Sequence, residues 1–295
     1  MRCAMRCTMM TTKRNIAAAG VAAALALVLA PATATADPWW KRAGRYLHDN
    51  GYVRGAGVAH VATLEQSREM ELADIDGAAS LAVQDGPIEG SGAAASSKTI
   101  FALNLGLRLP VLNRRLALEA VAGLPFKVEF SATGTLANES IAPTALGIPT
   151  GVPALGEQLG EASAVPLVFT AVYRFLDAGV LQPYAGAGPA LMLTTDRKVT
   201  NPILTEVSEP EMDIAPAPGL VLQAGLDVKV WRQVYARVDV KYIAFMLARA
   251  EVHHVQVRTP SLPLFEAVEV GTAKMSLWVN PLIVQAGLGF DFSIF

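Results

Sequence analysis

Four histidines, His48, His60, His253 and His254, are the first residues to weigh for acid–base or metal chemistry. Glu251 lies two residues before His253, and a histidine beside a carboxylate can move protons. Adjacent residues on a strand point to opposite sides, however, so His253 and His254 cannot face one site while that segment stays extended. The histidine spacing matches no common zinc ligand set. No serine sits in a nucleophile-elbow context, and the two cysteines, Cys3 and Cys7, both lie within the first 36 residues. The expectation is therefore no catalysis, no metal and no cofactor. Asn138-Glu139-Ser140 fits a glycosylation acceptor pattern and is read as chance.

The other chemically distinctive set is ionic. Arg108, Glu119, Arg174, Asp227, Lys229, Arg237, Asp239, Lys241 and Asp291 each interrupt an otherwise apolar run. Around Arg108, the residues Phe101, Leu103, Leu105, Leu107 and Leu109 alternate with Asn104 and Arg108. Glu119 opposes Leu116, Leu118, Ala120, Ala122 and Leu124. Thr170 and Arg174 oppose Leu167, Phe169, Tyr173 and Phe175. Gln223, Asp227 and Lys229 oppose Leu220, Leu222, Leu226 and Val228, and Arg237, Asp239 and Lys241 oppose Val234, Ala236, Val238, Val240 and Tyr242. A period of two is that of a β-strand. No charge in these runs falls on the apolar face, and a slip of one residue would invert that. A lipid-facing Arg or Lys at mid-bilayer costs about 2–4 kcal/mol. The segregation predicts strands with one face in lipid and their charges paired inside, as a plug.

The elements that must position these charges recur along the chain. Strands are predicted near 51–64, 99–109, 115–129, 164–175, 180–194, 215–230, 233–250 and 274–292. The connections 110–114, 176–179 and 231–232 are short, whereas 65–98, 130–163, 195–214 and 251–273 are long. That alternation predicts an all-β fold: an eight-stranded antiparallel transmembrane β-barrel with short periplasmic turns and long extracellular loops. The long loops are rich in Gly, Ala, Ser, Pro and acidic residues, and irregular structure is expected there. Tyr242, Trp278 and Phe175 fall near strand ends, where interfacial girdles belong; ordinary core aromatics are the alternative. The last run alternates Leu282, Val284, Ala286, Leu288, Phe290 and Phe292. Whether Phe292 or Phe295 is the residue read by the barrel-assembly machinery stays open.

Composition fits the same class. Hydrophobic residues make up 52% and charged residues 17%, yet no stretch after the N-terminal segment is long and apolar enough for a membrane helix. A net charge of −2 and the lack of a basic patch argue against nucleic acid. Arg2, Arg6, Lys13 and Arg14 precede an apolar run from Ile16 to Ala30, and Ala34-Thr35-Ala36 offers a cleavage site. Residues 1–36 are thus expected to be a signal peptide and 37–295 a single barrel domain; an uncleaved anchor is the alternative.

Four stretches resemble the OmpW family of eight-stranded outer-membrane proteins. Gln182-Pro-Tyr-Ala-Gly-Ala-Gly188 is similar to that family's Arg-Pro-Tyr-Val-Gly-x-Gly strand, and Leu124-Pro125-Phe126 to its Thr-Pro-Phe. Val221-Leu-Gln-Ala-Gly-Leu-Asp227 resembles its Gly-x-Asp-Tyr strand. Val279-Asn-Pro281 and Gly289-Phe-Asp-Phe292 resemble its closing Asn-Pro-Trp and Gly-Tyr-x-Phe. Gln182 replaces the usual Arg, Leu282 the usual Trp, and Ser293-Ile-Phe295 extends past the usual end. The resemblance implies a narrow barrel with a hydrophobic lumen for small apolar molecules, and loops that in some members receive toxins or phages.

Threading the strands outward and inward puts the charges in the periplasmic half. The outer half would be lined by Ala102, Val121, Val168, Val221, Ile243, Phe245 and Ile283. Eight strands leave an interior that side chains can fill, so a packed lumen and an apolar funnel over a charged floor both stand. A sealed floor would turn an apolar ligand sideways. Pro125 and Pro166 fall at the outer end of the seam between the third and fourth strands, where missing N–H groups weaken the ladder. They are the expected lateral exit; prolines that simply end strands are the alternative. The expected protein is a monomeric outer-membrane barrel, in contact with lipid, that admits small hydrophobic molecules and releases them into the bilayer. The alternative is a non-transporting barrel acting in surface recognition or membrane integrity.

Overall fold

The computed structural model describes residues 38–294 except 65, 177 and 262–266. The segment assigned to an export signal, and Phe295, lie outside the described residues. Eight strands close into an antiparallel barrel: β1 Gly51–Ala62, β2 Lys98–Arg108, β3 Leu116–Gly123, β4 Gln158–Arg174, β5 Leu181–Val199, β6 Ala217–Trp231, β7 Val234–Ala244 and β8 Leu282–Asp291. Each pairs with its sequence neighbour, and β1 pairs with β8 to close the ring. Closure pairs each strand with both neighbours over most of its length, which is what a backbone in lipid requires. Among the described residues, no helix is long and apolar enough to cross a membrane.

The alternation places its two faces as the sequence predicts. Leu105, Leu118, Phe169, Leu222, Val238, Val240 and Leu288 are exposed on the outside, while Asn104, Glu119, Thr170, Gln223 and Asp239 are buried inside. Outward charges begin at one level: Lys98 pairs with Glu129 at 2.8 Å and Lys127 with Glu161 at 3.1 Å. That level marks the outer edge of the apolar band, since charges are tolerated only near the interface.

Two places interrupt the period. In β1 the register slips between Val53 and Ala56, where Gly55 takes φ +60°, a conformation that suits a residue without Cβ. The bulge changes parity, so Tyr52 and Arg54 point inward below it and Ala59 and Val61 above it. Gly106 makes room for the Tyr52 ring; a Cβ there would lie 2.0 Å from it. The third predicted strand breaks at Leu124-Pro125 into β3 and a separate strand, Phe126–Gly134.

The long connections are not irregular. Strands Glu211–Ile214 and Glu71–Ala73 from these connections join Leu247–His253 and Thr272–Trp278, which hold the outer ends of the predicted seventh and eighth strands, to form most of a second, six-stranded sheet. It covers its own apolar core, with Met70, Leu72, Leu136, Leu155, Leu159 and Val255 all buried. The expectation of irregular loops is thereby corrected: apolar residues spread thinly through four loops become a core once the loops assemble. The described residues before Asn50 fall in a unit of their own, containing most of helix α1, Trp39–Asn50. Within α1 the rings of Trp39 and Trp40 meet edge-on, with centroids 6.0 Å apart.

Candidate functional site

The interior of the barrel has two storeys. In the lower one, Arg237 is buried and sits between two carboxylates. Its Nε donates to Asp227 Oδ1 at 2.6 Å, one terminal nitrogen to Asp227 Oδ2 at 3.0 Å and the other to Glu119 Oε2 at 2.8 Å. Tyr52 donates its hydroxyl to Glu119 Oε1 at 2.8 Å. Gln223 Nε2 donates to Glu119 Oε2 at 3.2 Å and Asp239 Oδ2 at 3.1 Å, and its carbonyl accepts from Thr170 at 2.7 Å. Lys241 donates to Asp239 and, at 3.3 Å, to Gln285 Oε1. Gln285 Nε2 in turn donates to the Gly55 carbonyl at 2.6 Å.

On the other side, Asp291 accepts from Arg54 at 2.6 Å and from Arg108 at 2.9 Å. Arg54 Nε is also 3.5 Å from Asp227 Oδ2, which joins the two halves into one network. Arg174 lies 3.9 Å from Glu119 and 3.8 Å from Asp227, with its guanidinium 4.7 Å from the Tyr52 ring centroid. Tyr235 and Tyr184 stack beneath Arg54 and Arg237 at 3.8 and 4.3 Å. The cations Arg54, Arg108, Arg174, Arg237 and Lys241 thus face the carboxylates of Glu119, Asp227, Asp239 and Asp291. Charges so deeply buried persist only when paired; Arg174 is held by charge and the Tyr52 ring without a hydrogen bond of its own among the described residues, and the network fills the floor of the barrel.

Of the charged residues picked from sequence, Arg108, Glu119, Arg174, Asp227, Arg237, Asp239, Lys241 and Asp291 meet here. Lys229 does not. It is exposed, opposite Tyr235 and two residues before the end of β6. At the barrel's periplasmic rim its ammonium reaches water, so it belongs to the mouth and not the plug. Sequence reading missed Tyr52 and Arg54, whose inward parity is set by the Gly55 bulge. It also missed Tyr184, Tyr235 and Gln285, which serve as stacking and hydrogen-bonding partners for the charges.

The upper storey is apolar. Val168, Val221 and Ile243 pack together with Ala190, Ala217 and Met246, and Val121 and Ile283 pack against them. Ala102 is buried nearby, its carbonyl accepting from Gln285 at 3.2 Å. Phe245 is a correction: it is 71% exposed. Strand β7 ends at Ala244, and Phe245 takes φ +61°, which reverses the alternation and turns Met246 into the lumen instead. The Met246 N–H donates to the Asn280 side chain at 3.3 Å, and Val279 N–H donates to the Met246 carbonyl at 3.0 Å. A paired kink in the last two strands thus sets the top of the apolar cluster; Asn280 itself has φ +33°.

The wall around this cluster is interrupted beside Pro125. The β3–β4 ladder stops at Val121↔Val168 and resumes at Phe126↔Ala164, with Pro166 inside the unpaired interval. A longer break lies on the other edge. The β2–β3 ladder ends at Ala102↔Gly123, and pairing resumes only where Ser96 N–H donates to the Glu129 carbonyl at 2.9 Å and Ala95 opposes Phe130. No ladder rung joins residues 97–101 to 124–128. The sequence placed the weak seam between the third and fourth strands alone; the longer break lies between the second and third. Both breaks fall at Leu124-Pro125, where the predicted third strand divides. Phe101 and Leu124 are exposed on the outer lip, just below the Lys98–Glu129 ion pair. The Lys98 ammonium holds the Glu129 carboxyl below the usual carboxylate range.

The histidines do not converge. His253 Nε2 lies 3.7 Å from Glu251 and its Nδ1 3.4 Å from the Thr272 hydroxyl, whereas His254 contacts Glu269 at 3.3 Å.

A profile of the OmpW family matches residues 70–292. Among solved structures, the chain is similar to the outer membrane protein OprG from Pseudomonas aeruginosa. The TM-score is 0.60 at 17% identity, over 82% of this chain and 95% of that one. It is also similar to the outer membrane protein AlkL in DMPC bilayers, at TM-score 0.41 and 14% identity over 88% and 94% of the two chains. E. coli outer membrane protein W aligns at TM-score 0.39 and 15% identity over 81% and 98%. A search of curated proteins finds no match.

Proposed function

The chain belongs to the OmpW family of outer-membrane barrels, and from that premise we propose that it admits small hydrophobic molecules from outside and releases them sideways into the outer leaflet. The observation that carries this reading is the ladder break beside Leu124-Pro125. Unpaired backbone is costly in lipid and persists where it borders a cavity, protein or ligand. The break sits under the outer charged pairs and above the apolar cluster of Val121, Val168 and Ile243. Below that cluster, the ion network of Glu119, Asp227 and Arg237 offers an apolar solute no downward path. The role needs no catalytic group, metal or cofactor, and a single chain in the bacterial outer membrane suffices.

The test is a lock across the break. Phe101→Cys with Leu124→Cys puts two thiols on its outer lip in a mature chain that otherwise has none. Oxidation should stop uptake of a hydrophobic solute in whole cells, and reduction should restore it. Unchanged uptake in the oxidised protein sinks the lateral route.

Surface recognition through the loops is the second reading. It is favoured by the second sheet, which gives the extracellular side a defined shape. Deleting the hairpin between Gln256 and Glu269 should then abolish partner binding and leave uptake intact.

A further inference from the structure

The extracellular cap contains two apolar cavities, one of about 190 Å³ at the loop tips and one of about 50 Å³ beneath it. We propose that the tip cavity is a capture site for one small neutral hydrocarbon, of the size of a single aromatic ring, and that the second cavity, too small for a ring as it stands, admits it only by re-packing of its methionines. The proposal rests on the passage reading for its role, but not for the binding itself.

Three separate loops build the tip cavity. Ala79 and Leu81 come from the first, Ala145 and Ile148 from the second, and Val257 and Val268 from the fourth. A void forfeits dispersion contacts for every side chain that lines it, so an empty one weakens the fold. An apolar cavity of roughly 150 Å³ is large enough to take up benzene or xenon and stays free of water. This one exceeds that size and opens on its outer side, where Leu81, Leu146 and Ile148 are exposed, so that a guest can enter from solvent. Its polar groups are already engaged: Thr150 donates its hydroxyl to the Ala142 carbonyl and accepts from Val152 N–H at 3.2 Å. Thr259 is likewise partnered. The rest of the lining is aliphatic, so the cavity rewards molecules without a polar headgroup, because such a group would lose its water for little in return.

One side chain borders both cavities. Val270 lines each of them and is buried. Its backbone is fixed: Val270 N–H donates to the Val255 carbonyl at 2.7 Å, and Gly271 follows at φ +73° with the Ala73 carbonyl packed where a Cβ would stand. The partition can therefore yield only by turning the valine side chain. Beyond it, Met70, Met212 and Met275 line the inner cavity; thioether chains re-pack readily around varied guests. Phe130, which also lines it, belongs to the strand that starts at Phe126 beside the ladder break.

The experiment uses the full mature chain in lipid nanodiscs, with labelled Ile, Leu and Val methyl groups and benzene as the probe. Saturable shifts at the Ile148 and Val268 methyls are expected. Ala145→Leu and, independently, Ala79→Leu should fill the cavity and abolish them, with heat-modifiable mobility reporting that each variant is folded. Val270→Ala should spread the shifts to Val255 and Leu136. Shifts that grow without saturation, or that survive both filled variants, overturn the site. Saturable binding with toluene uptake unchanged in both filled variants overturns its role in capture. Because the methyl readout involves no flux, failure of the lateral route in the locked barrel would leave the binding result intact and distinguishable.

Discussion

Arg237 holds Asp227 in a two-pronged grip, with nitrogen–oxygen distances of 2.6 and 3.0 Å, deep inside an eight-stranded barrel. The same guanidinium reaches Glu119 on the far wall at 2.8 Å. One side chain from β7 therefore ties β3 to β6 across the lumen. Removing it leaves two buried carboxylates without their main partner. Arg237→Ala is expected to lower stability by about 3–5 kcal/mol, the usual cost of breaking a buried ion pair on one side. The loss is measured as a lower temperature for the shift in electrophoretic mobility. Asp227→Ala should act in the same direction.

The same network should set conductance. Replacing Arg237, Asp239 and Lys241 together by alanine removes three of the side chains that fill the floor. Planar bilayer recordings should show a low ion current for the unmodified barrel and a raised one for the triple variant. A large, steady current in the unmodified protein would mean that water threads the network, and the sealed floor would be wrong.

Leu222 and Gln223 test the two faces. Leu222 is half exposed toward lipid, whereas Gln223 is buried between Glu119 and Asp239. Leu222→Arg should impair insertion, at about 2–4 kcal/mol for a cation facing the bilayer core. Gln223→Arg puts the cation between two carboxylates and should insert far better. Equal yields of folded barrel from the two variants would refute the assignment.

The wall was legible in the sequence because lipid imposes a strict period of two, and the charges of Glu119, Asp227 and Arg237 marked the inner face. What escaped were the places where the backbone breaks that period. Gly55 shifts parity in β1 and brings in Tyr52 and Arg54; Phe245 at φ +61° hands its lumen position to Met246. Neither event leaves a pattern, because a single residue at positive φ is a local choice enforced by tertiary packing. The loop sheet escaped for another reason. Its strands are short, and Leu72, Leu155 and Val255 become a core only when loops far apart in sequence meet.

The Lys98–Glu129 pair sits above the ladder break, outside the apolar band. Its pH dependence follows from the lowered Glu129 pKa. A carboxyl depressed in the folded state contributes stability above its unfolded pKa and loses it as the pH falls through the folded value. Acidification should therefore loosen the upper lip of the break. A spin label at Val128 should become more mobile as the pH drops through that range, and the effect should vanish in Glu129→Gln. A label with the same pH response in both proteins would place the cause elsewhere.

Pro125 offers the closing test of how the break is kept. Proline has no N–H to donate, and its ring disfavours helical backbone at Leu124. Pro125 stands between the end of β3 and the strand that starts at Phe126, and Pro166 leaves a second missing donor in the facing interval of β4. Pro125→Ala returns one donor to the wall. If the strand straightens, Phe126 can resume its rung opposite Thr99, because the ladders on either side of the break share one register. A restored hydrogen bond adds about 0.5–1.5 kcal/mol, so the variant should be slightly more heat-resistant and slower in hydrophobic uptake. Pro166→Ala should have the smaller effect, since β4 is already paired with β5 at that point, Pro166 facing Met192. A Pro125→Ala barrel that gains stability but transports at the original rate would show that solute leaves by another route. One that gains neither would show that the kink is held by Phe126–Gly134 pairing with β4 and not by the proline.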